Sequence, residues 1–178
     1  MPRWTLPGGS LKDLVLYHGT DDSISGAAGM AANTQISFTV NLARCAWNTE
    51  FGQGFYTTTS EHQARQWANA KYVSNPAPVN ALLLRFEVDR NWLATVETLF
   101  FVRPTDHFWE LVDDCHLGFR PHQRPPPNNP PFDVVCGPVT LWPRVLIIQD
   151  CDQVSFHTQR AVHGLGNPWI HAVGTPML

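Results

Sequence analysis

The chain has 178 residues, a formal net charge of −3, 43% hydrophobic and only 15% charged residues. That length buries a full core as one domain over 1–178, and the apolar share excludes wholesale disorder. No basic excess points to nucleic acid or an anionic surface. No apolar run reaches the ~20 residues of a membrane span, and the N-terminus lacks an apolar stretch of signal-peptide length. An intracellular, cytoplasmic protein with no membrane partner is therefore expected. Oligomeric state has no signature in the sequence.

Leu14-Val15-Leu16-Tyr17 is a short apolar run that reads as a buried strand ending in His18-Gly19-Thr20. Asp21, Asp22 and Ser23 offer caps for a short helix over Ile24 to Met30. Asn33 to Leu42 reads as irregular. Glu50-Phe51-Gly52-Gln53-Gly54-Phe55-Tyr56 places two glycines before an aromatic pair, and Thr57 to Ser60 is a run of hydroxyl residues. The glycines permit positive φ or close approach, so the stretch reads as turn, strand, then helix. Ser60 is the expected N-cap with Gln63 at capping-box spacing, and Ala64, Trp67 and Ala68 mark the helix to about Tyr72.

Asn80 to Val88 alternates Leu82, Leu84, Phe86 and Val88 against Leu83, Arg85 and Glu87, the clearest strand in the chain. Trp92 to Val102 reads as an apolar strand pair or a bulged strand. Thr105 or Asp106 caps a helix through Val112. Residues 120–131 hold six of the 15 prolines and form a loop. Phe132 to Cys136 reads as a buried strand closed by Gly137-Pro138. Leu141 to Ile148 is apolar but broken by Pro143. Gln153 to Phe156 reads as a short strand, His157-Thr158 begins a last helix, and the tail after Pro168 is irregular. Strands outnumber helices without a βαβ rhythm, which favours α+β.

Cys45, Cys115, Cys136 and Cys151 are spaced 70, 21 and 15 residues apart, which matches no zinc pattern and suggests reduced thiols. His107, His116 and His122 with Asp113, Asp114 and Cys115 are dense but wrongly spaced for a metal on one helix face, so no metal is expected. Nucleotide-binding glycine loops and a nucleophile elbow are missing. The polar residues left for chemistry are His18, Tyr56 and Gln153. Each one alone reads as core or strand edge; their order along the chain is what carries information.

Leu16 to Gly19, Glu50 to Tyr56, Gln63-Ala64 with Trp67, Asp133 to Pro138 and Gln153 to Phe156 together resemble the diphtheria-toxin-like and poly(ADP-ribose)-polymerase-like ADP-ribosyltransferases. The resemblance is closest to a little-studied bacterial and fungal branch with His, Tyr and Gln motifs. It implies a split β-sandwich of two antiparallel sheets with flanking helices, and NAD as co-substrate in the cleft between them. It implies transfer of ADP-ribose to a macromolecular acceptor, protein or nucleic acid. NAD glycohydrolysis, with water as acceptor, and a non-catalytic binding module are the alternatives.

The resemblance further implies that His18 bonds a ribose hydroxyl, Gly19 pairs its backbone with the nicotinamide carboxamide, and Tyr56 stacks on the ring. Thr20, Gly54, Thr57 and Ser60 would join them around the dinucleotide, with Gln153 facing the nicotinamide ribose. The branch-typical glutamine departs from the glutamate of the better-known members: an amide neither brings negative charge to a developing cation nor takes a proton. Glu50, Glu61 and Glu110 are other carboxylates in the chain, each read first as a solvated charge. Asp133 is read as fixing the Gly137-Pro138 turn.

Overall fold

A computed structural model describes residues 13–24, 27–74, 80–118 and 132–174. The proline-rich stretch over 120–131 lies outside the described residues. The fold is α+β, and the described residues form seven strands in two sheets. Strands β1 (Leu14–Asp21), β3 (Ala81–Val88) and β7 (Trp169–Val173) form one sheet in the order β1-β3-β7. Strands β2 (Phe55–Thr57), β4 (Thr98–Phe100), β5 (Val134–Leu141) and β6 (Arg144–Phe156) form the other, in the order β2-β6-β5-β4.

The sheets face each other across the main core. Leu16, Leu82, Leu84, Phe86 and Val88 from the first sheet meet Phe55, Val134, Val154 and Phe156 from the second. Alternation fills this layer, because every second residue of a strand shares a face. Fully burying a Phe or Leu contributes about 1.5–3 kcal/mol. On the outer face of the first sheet, helix α1 (Glu61–Ser74) lays Ala64 and Ala68 over Ala81 and Leu83. On the outer face of the second, helix α3 (Asp106–His116) packs Phe108, Leu111, Val112 and Cys115 against Phe51 and Val135. The layers run helix, sheet, sheet, helix.

Several sequence expectations are corrected. The second sheet is mixed, since β4 runs parallel to β5 through Thr98↔Val134 and Phe100↔Cys136. Strand β1 continues through His18 and Gly19 to Asp21, paired throughout with β3, so His18 lies inside a strand. Among the described residues between Ile24 and Met30 there are turns in place of a helix. Trp92 belongs to the short helix α2 (Arg90–Leu93), capped by Asp89, and only Thr98–Phe100 of that region is strand.

Gly137 and Pro138 sit within β5. A Cβ on Gly137 would lie 3.0 Å from Phe51 and 3.3 Å from Phe108, so the glycine makes room for rings. Asp133 instead ties the start of β5 to its surroundings: it accepts from the Glu97 N–H at 3.0 Å and from the Thr158 hydroxyl, which caps the short helix α4 (Gln159–His163). The tail supplies β7, which pairs with β3 across a bulge. Among the described residues no helix is long and apolar enough to cross a membrane.

Candidate functional site

The two sheets touch edge to edge at one corner. The Tyr17 N–H donates to the Thr58 carbonyl at 2.8 Å, and the Thr58 N–H returns a bond to the Tyr17 carbonyl at 2.9 Å. Past this bridge β1 and β2 diverge. The cavity in the divergence is lined by Tyr17, His18, Gly19, Tyr56, Thr57, Thr58, Gln63, Ala64, Trp67 and Gln153, and its volume is about 10 Å³. That holds about one water.

His18 projects toward Phe55, with ring centroids 4.4 Å apart, and its Nδ1 lies 2.7 Å from the Tyr56 carbonyl. A carbonyl only accepts, so Nδ1 carries the proton. Burial, chiefly, lowers the His18 pKa to about 4. The ring is neutral at pH 7, and Nε2 is left as an acceptor.

Gly19 meets two demands. A Cβ there would sit 2.0 Å from the Ala64 carbonyl oxygen and 2.6 Å from the Ala68 nitrogen, so α1 lies flat on β1 only because the residue is glycine. Backbone groups of successive residues in an antiparallel strand point to opposite edges, and those of residues two apart to the same edge. The Gly19 N–H and C=O therefore point the same way as those of Tyr17, into the gap between β1 and β2.

Tyr56 is an anchor at its hydroxyl end. The O–H donates to the Gly52 carbonyl at 2.8 Å and accepts from the Phe51 N–H at 2.9 Å, with Thr49 Oγ1 also 2.8 Å away. Burial pushes its pKa up, which keeps the donor proton in place. The glycine turn it holds needs Gly52 at φ +77°. Gly54 is required for space: a Cβ there would lie 2.7 Å from His157 Nδ1.

Gln153 is 1% exposed, near the C-terminal end of β6. Its Nε2 donates to the Pro138 carbonyl at 3.2 Å, and its Oε1 is buried without a hydrogen-bond partner. The Pro138 carbonyl fixes the amide orientation, since it can only accept. A buried acceptor left unpaired costs about 1–3 kcal/mol. The neighbouring carboxylate, Asp152, is turned to the other side, where it accepts from the Thr59 N–H at 2.9 Å and lies 3.0 Å from the Thr58 hydroxyl. Residues 148–151 arch out of the ladder just before it, with Asp150 at φ +56°, and a bulge of this kind re-aims the side chains that follow.

The structure thus brings His18, Gly19, Tyr56, Thr57 and Gln153 together. Thr20, Gly54 and Ser60 lie outside the lining. Ser60 caps α1 through the Gln63 N–H at 3.3 Å, but the reciprocal half of the capping box is replaced: Thr58 Oγ1 accepts from the Ser60 N–H at 3.0 Å and lies 2.6 Å from Gln63 Oε1. Sequence reasoning gives Gln63 as a cap partner and, with Ala64 and Trp67, as a helix motif, but neither Gln63 nor Trp67 as lining of the site; their i, i+4 spacing beside Ala64 is the signal that they share one face. Of the other carboxylates, Glu61 bonds Arg65 at 2.7 Å, which holds its pKa down, and faces His171 at 3.3 Å. Glu110 is an exposed partner of His107. Among the described residues no group of His, Cys, Asp and Glu could hold a metal ion.

A family model described as "Protein of unknown function (DUF3990)" matches residues 14–141. The chain belongs to this family. The DUF3990 match takes in β1 with His18 and Gly19, the glycine turn, Tyr56 and α1; Gln153 lies beyond it. No curated protein and no solved structure matches this DUF3990 protein.

Proposed function

We propose that the corner cavity binds the nicotinamide–ribose end of NAD and that the fold is of the ADP-ribosyltransferase type. The reading is of an enzyme that cleaves the nicotinamide–ribose bond and transfers ADP-ribose to a macromolecule. The observation that carries it is the buried, unpartnered Gln153 Oε1, in the same cavity as the neutral His18. Two acceptors there call for hydroxyl donors, and a ribose has them. The Gly19 N–H and C=O, facing the gap, offer the donor and acceptor that a primary carboxamide matches. NAD supplies the chemistry of a cationic leaving group, whose departure develops positive charge on the ribose.

The chain's own residues orient this substrate. His18 and Gln153 accept from hydroxyls. Tyr56, held at its hydroxyl end by the glycine turn, contributes to the wall beside them. The 10 Å³ cavity admits no aromatic ring as it stands. Trp67 is 41% exposed, whereas His18, Tyr56, Thr57, Thr58, Gln63 and Gln153 are each tied by a hydrogen bond. The indole of Trp67 is therefore the wall that turns aside for the ligand.

A second reading, a module that binds NAD without turnover, is favoured by the lack of any carboxylate among the residues lining the cavity. The test is incubation with NAD labelled on the adenylate and on the nicotinamide, alone and with a cell extract. Label fixed on a macromolecule with nicotinamide released is the expected result. Free ADP-ribose alone makes water the acceptor, and binding without release makes the domain a module. No binding, in wild type or in Trp67→Ala, overturns the assignment of the cavity.

A further inference from the structure

The hairpin joining β5 to β6 is the least covered part of the described chain. Val145 is 71% exposed, Leu146 53%, Leu141 48%, and Ile147, Ile148 and Trp142 between 36% and 38%. Successive residues of a strand point to opposite faces, so both faces of this arm are apolar. Its edge is open as well. Strand β2 pairs with β6 only from Val154 to Phe156, so among the described residues the β2-side edge of Arg144 to Ile148 has no neighbour. At its turn, Trp142 Nε1 donates to Asp113 at 2.8 Å and the indole stacks on His116, 4.3 Å between centroids at 12°. The turn is thus tied to α3 while the free edge and faces of the arm meet solvent.

We propose that this arm is a dimerisation surface whose occupant is the same arm of a second copy, paired antiparallel. Charge selects the partner. Arg144 and Asp150 bracket five uncharged residues, Val145 to Gln149, and both are exposed. A twofold axis at Ile147 sets Leu146 of each copy against Ile148 of the other and brings Arg144 toward the partner's Asp150, which stands on the arch just beyond the paired residues. Opposite charges placed across antiparallel strands stabilise, and like charges destabilise. An open strand edge calls for another strand, because only backbone N–H and C=O groups satisfy it along its length. A bilayer supplies neither, and the acidic pair Asp150 and Asp152 works against an anionic lipid surface.

Pairing also covers what the arm leaves bare. An open groove of about 550 Å³ runs along it, lined by Thr59, Pro138, Ile147, Ile148, Asp150 and Asp152 among others. This inference is independent of what the corner cavity binds.

The experiment is sedimentation velocity of the full chain over a concentration series. Wild type is expected to pass from monomer to dimer. Arg144→Asp, at an exposed site, brings like charges together twice per dimer and weakens association by about tenfold or more. Arg144→Asp with Asp150→Lys restores it, with circular dichroism confirming that each variant is folded. A wild type that stays monomeric throughout overturns the proposal, as does a dimer that Arg144→Asp leaves unchanged. Monomeric wild type that floats with phosphatidylcholine vesicles assigns the arm to a membrane instead.

Discussion

At the corner where β1 meets β2, His18, Tyr56, Thr58 and Gln63 are held by hydrogen bonds of 2.6–2.8 Å around a cavity of about 10 Å³. At the other end of β6, the arm leaves Val145 71% exposed and one edge unpaired. Both regions lie on the same strand, yet the constraints on them differ in kind. In the corner, backbone approaches backbone and each residue type is set by its neighbours. On the arm, folding asks only for strand-forming residues, and the apolar surface must be explained by what binds it. Substitutions should therefore be severe in the corner and nearly silent for folding on the arm.

Gly19→Ala is expected to have the largest effect. The added methyl would sit 2.0 Å from the Ala64 carbonyl oxygen, which is backbone and cannot swing away. Helix α1 would have to lift off β1 and uncover Ala68 and Leu83, a loss of about 3 kcal/mol or more. Thermal denaturation followed by circular dichroism measures it. A melting midpoint within a few degrees of wild type would show the helix free to move and break the contrast between the two regions.

Acid is the next largest lever. His18 has its pKa lowered from 6.5 to about 4 in the folded chain. The unfolded chain binds the proton more readily, so stability from the neutral ring is complete above pH 6.5 and is lost as pH falls toward 4. The shift corresponds to roughly 3 kcal/mol across that window. His18→Gln, neutral at every pH, should flatten the fall in urea-denaturation stability between pH 6.5 and 4. An unchanged slope would place its origin in other groups.

How much of this was legible follows the same division. Strand β3 was readable because Leu82, Leu84, Phe86 and Val88 share the core face, while Leu83 lies under α1. His18, Gly19, Tyr56 and Gln153 stand out in the sequence by their order along the chain, and the folded chain brings them around one cavity. The sequence hid what depends on distant partners. The role of Gly19 against Ala64 required the helix packing, and the anchoring of Tyr56 required the turn at Thr49 and Gly52. Strand β4 is three residues whose parallel partner lies far along the chain. Strand β7 follows a Gly-Asn-Pro stop and mixes Trp, His and Ala without a sharp alternation. The burial of Gln153 was not readable, since a lone glutamine in a short alternating run fits a solvent-facing position equally well.

The smallest expected effect is on the arm, and it sharpens the comparison most. Val145→Thr keeps a β-branched side chain, and with it the strand preference, while replacing a methyl by a hydroxyl that solvent can reach. At concentrations where the chain is monomeric, its folding stability should stay within about 0.5 kcal/mol of wild type. If Val145 served the monomer's core, the cost would appear at every concentration. If it serves a second copy, the cost appears only as the concentration is raised, because binding stabilises the folded state by mass action. Measuring urea midpoints of wild type and Val145→Thr at low and high concentration separates the two. A gap that opens with concentration ties the residue to association, and a constant gap assigns the arm to the fold.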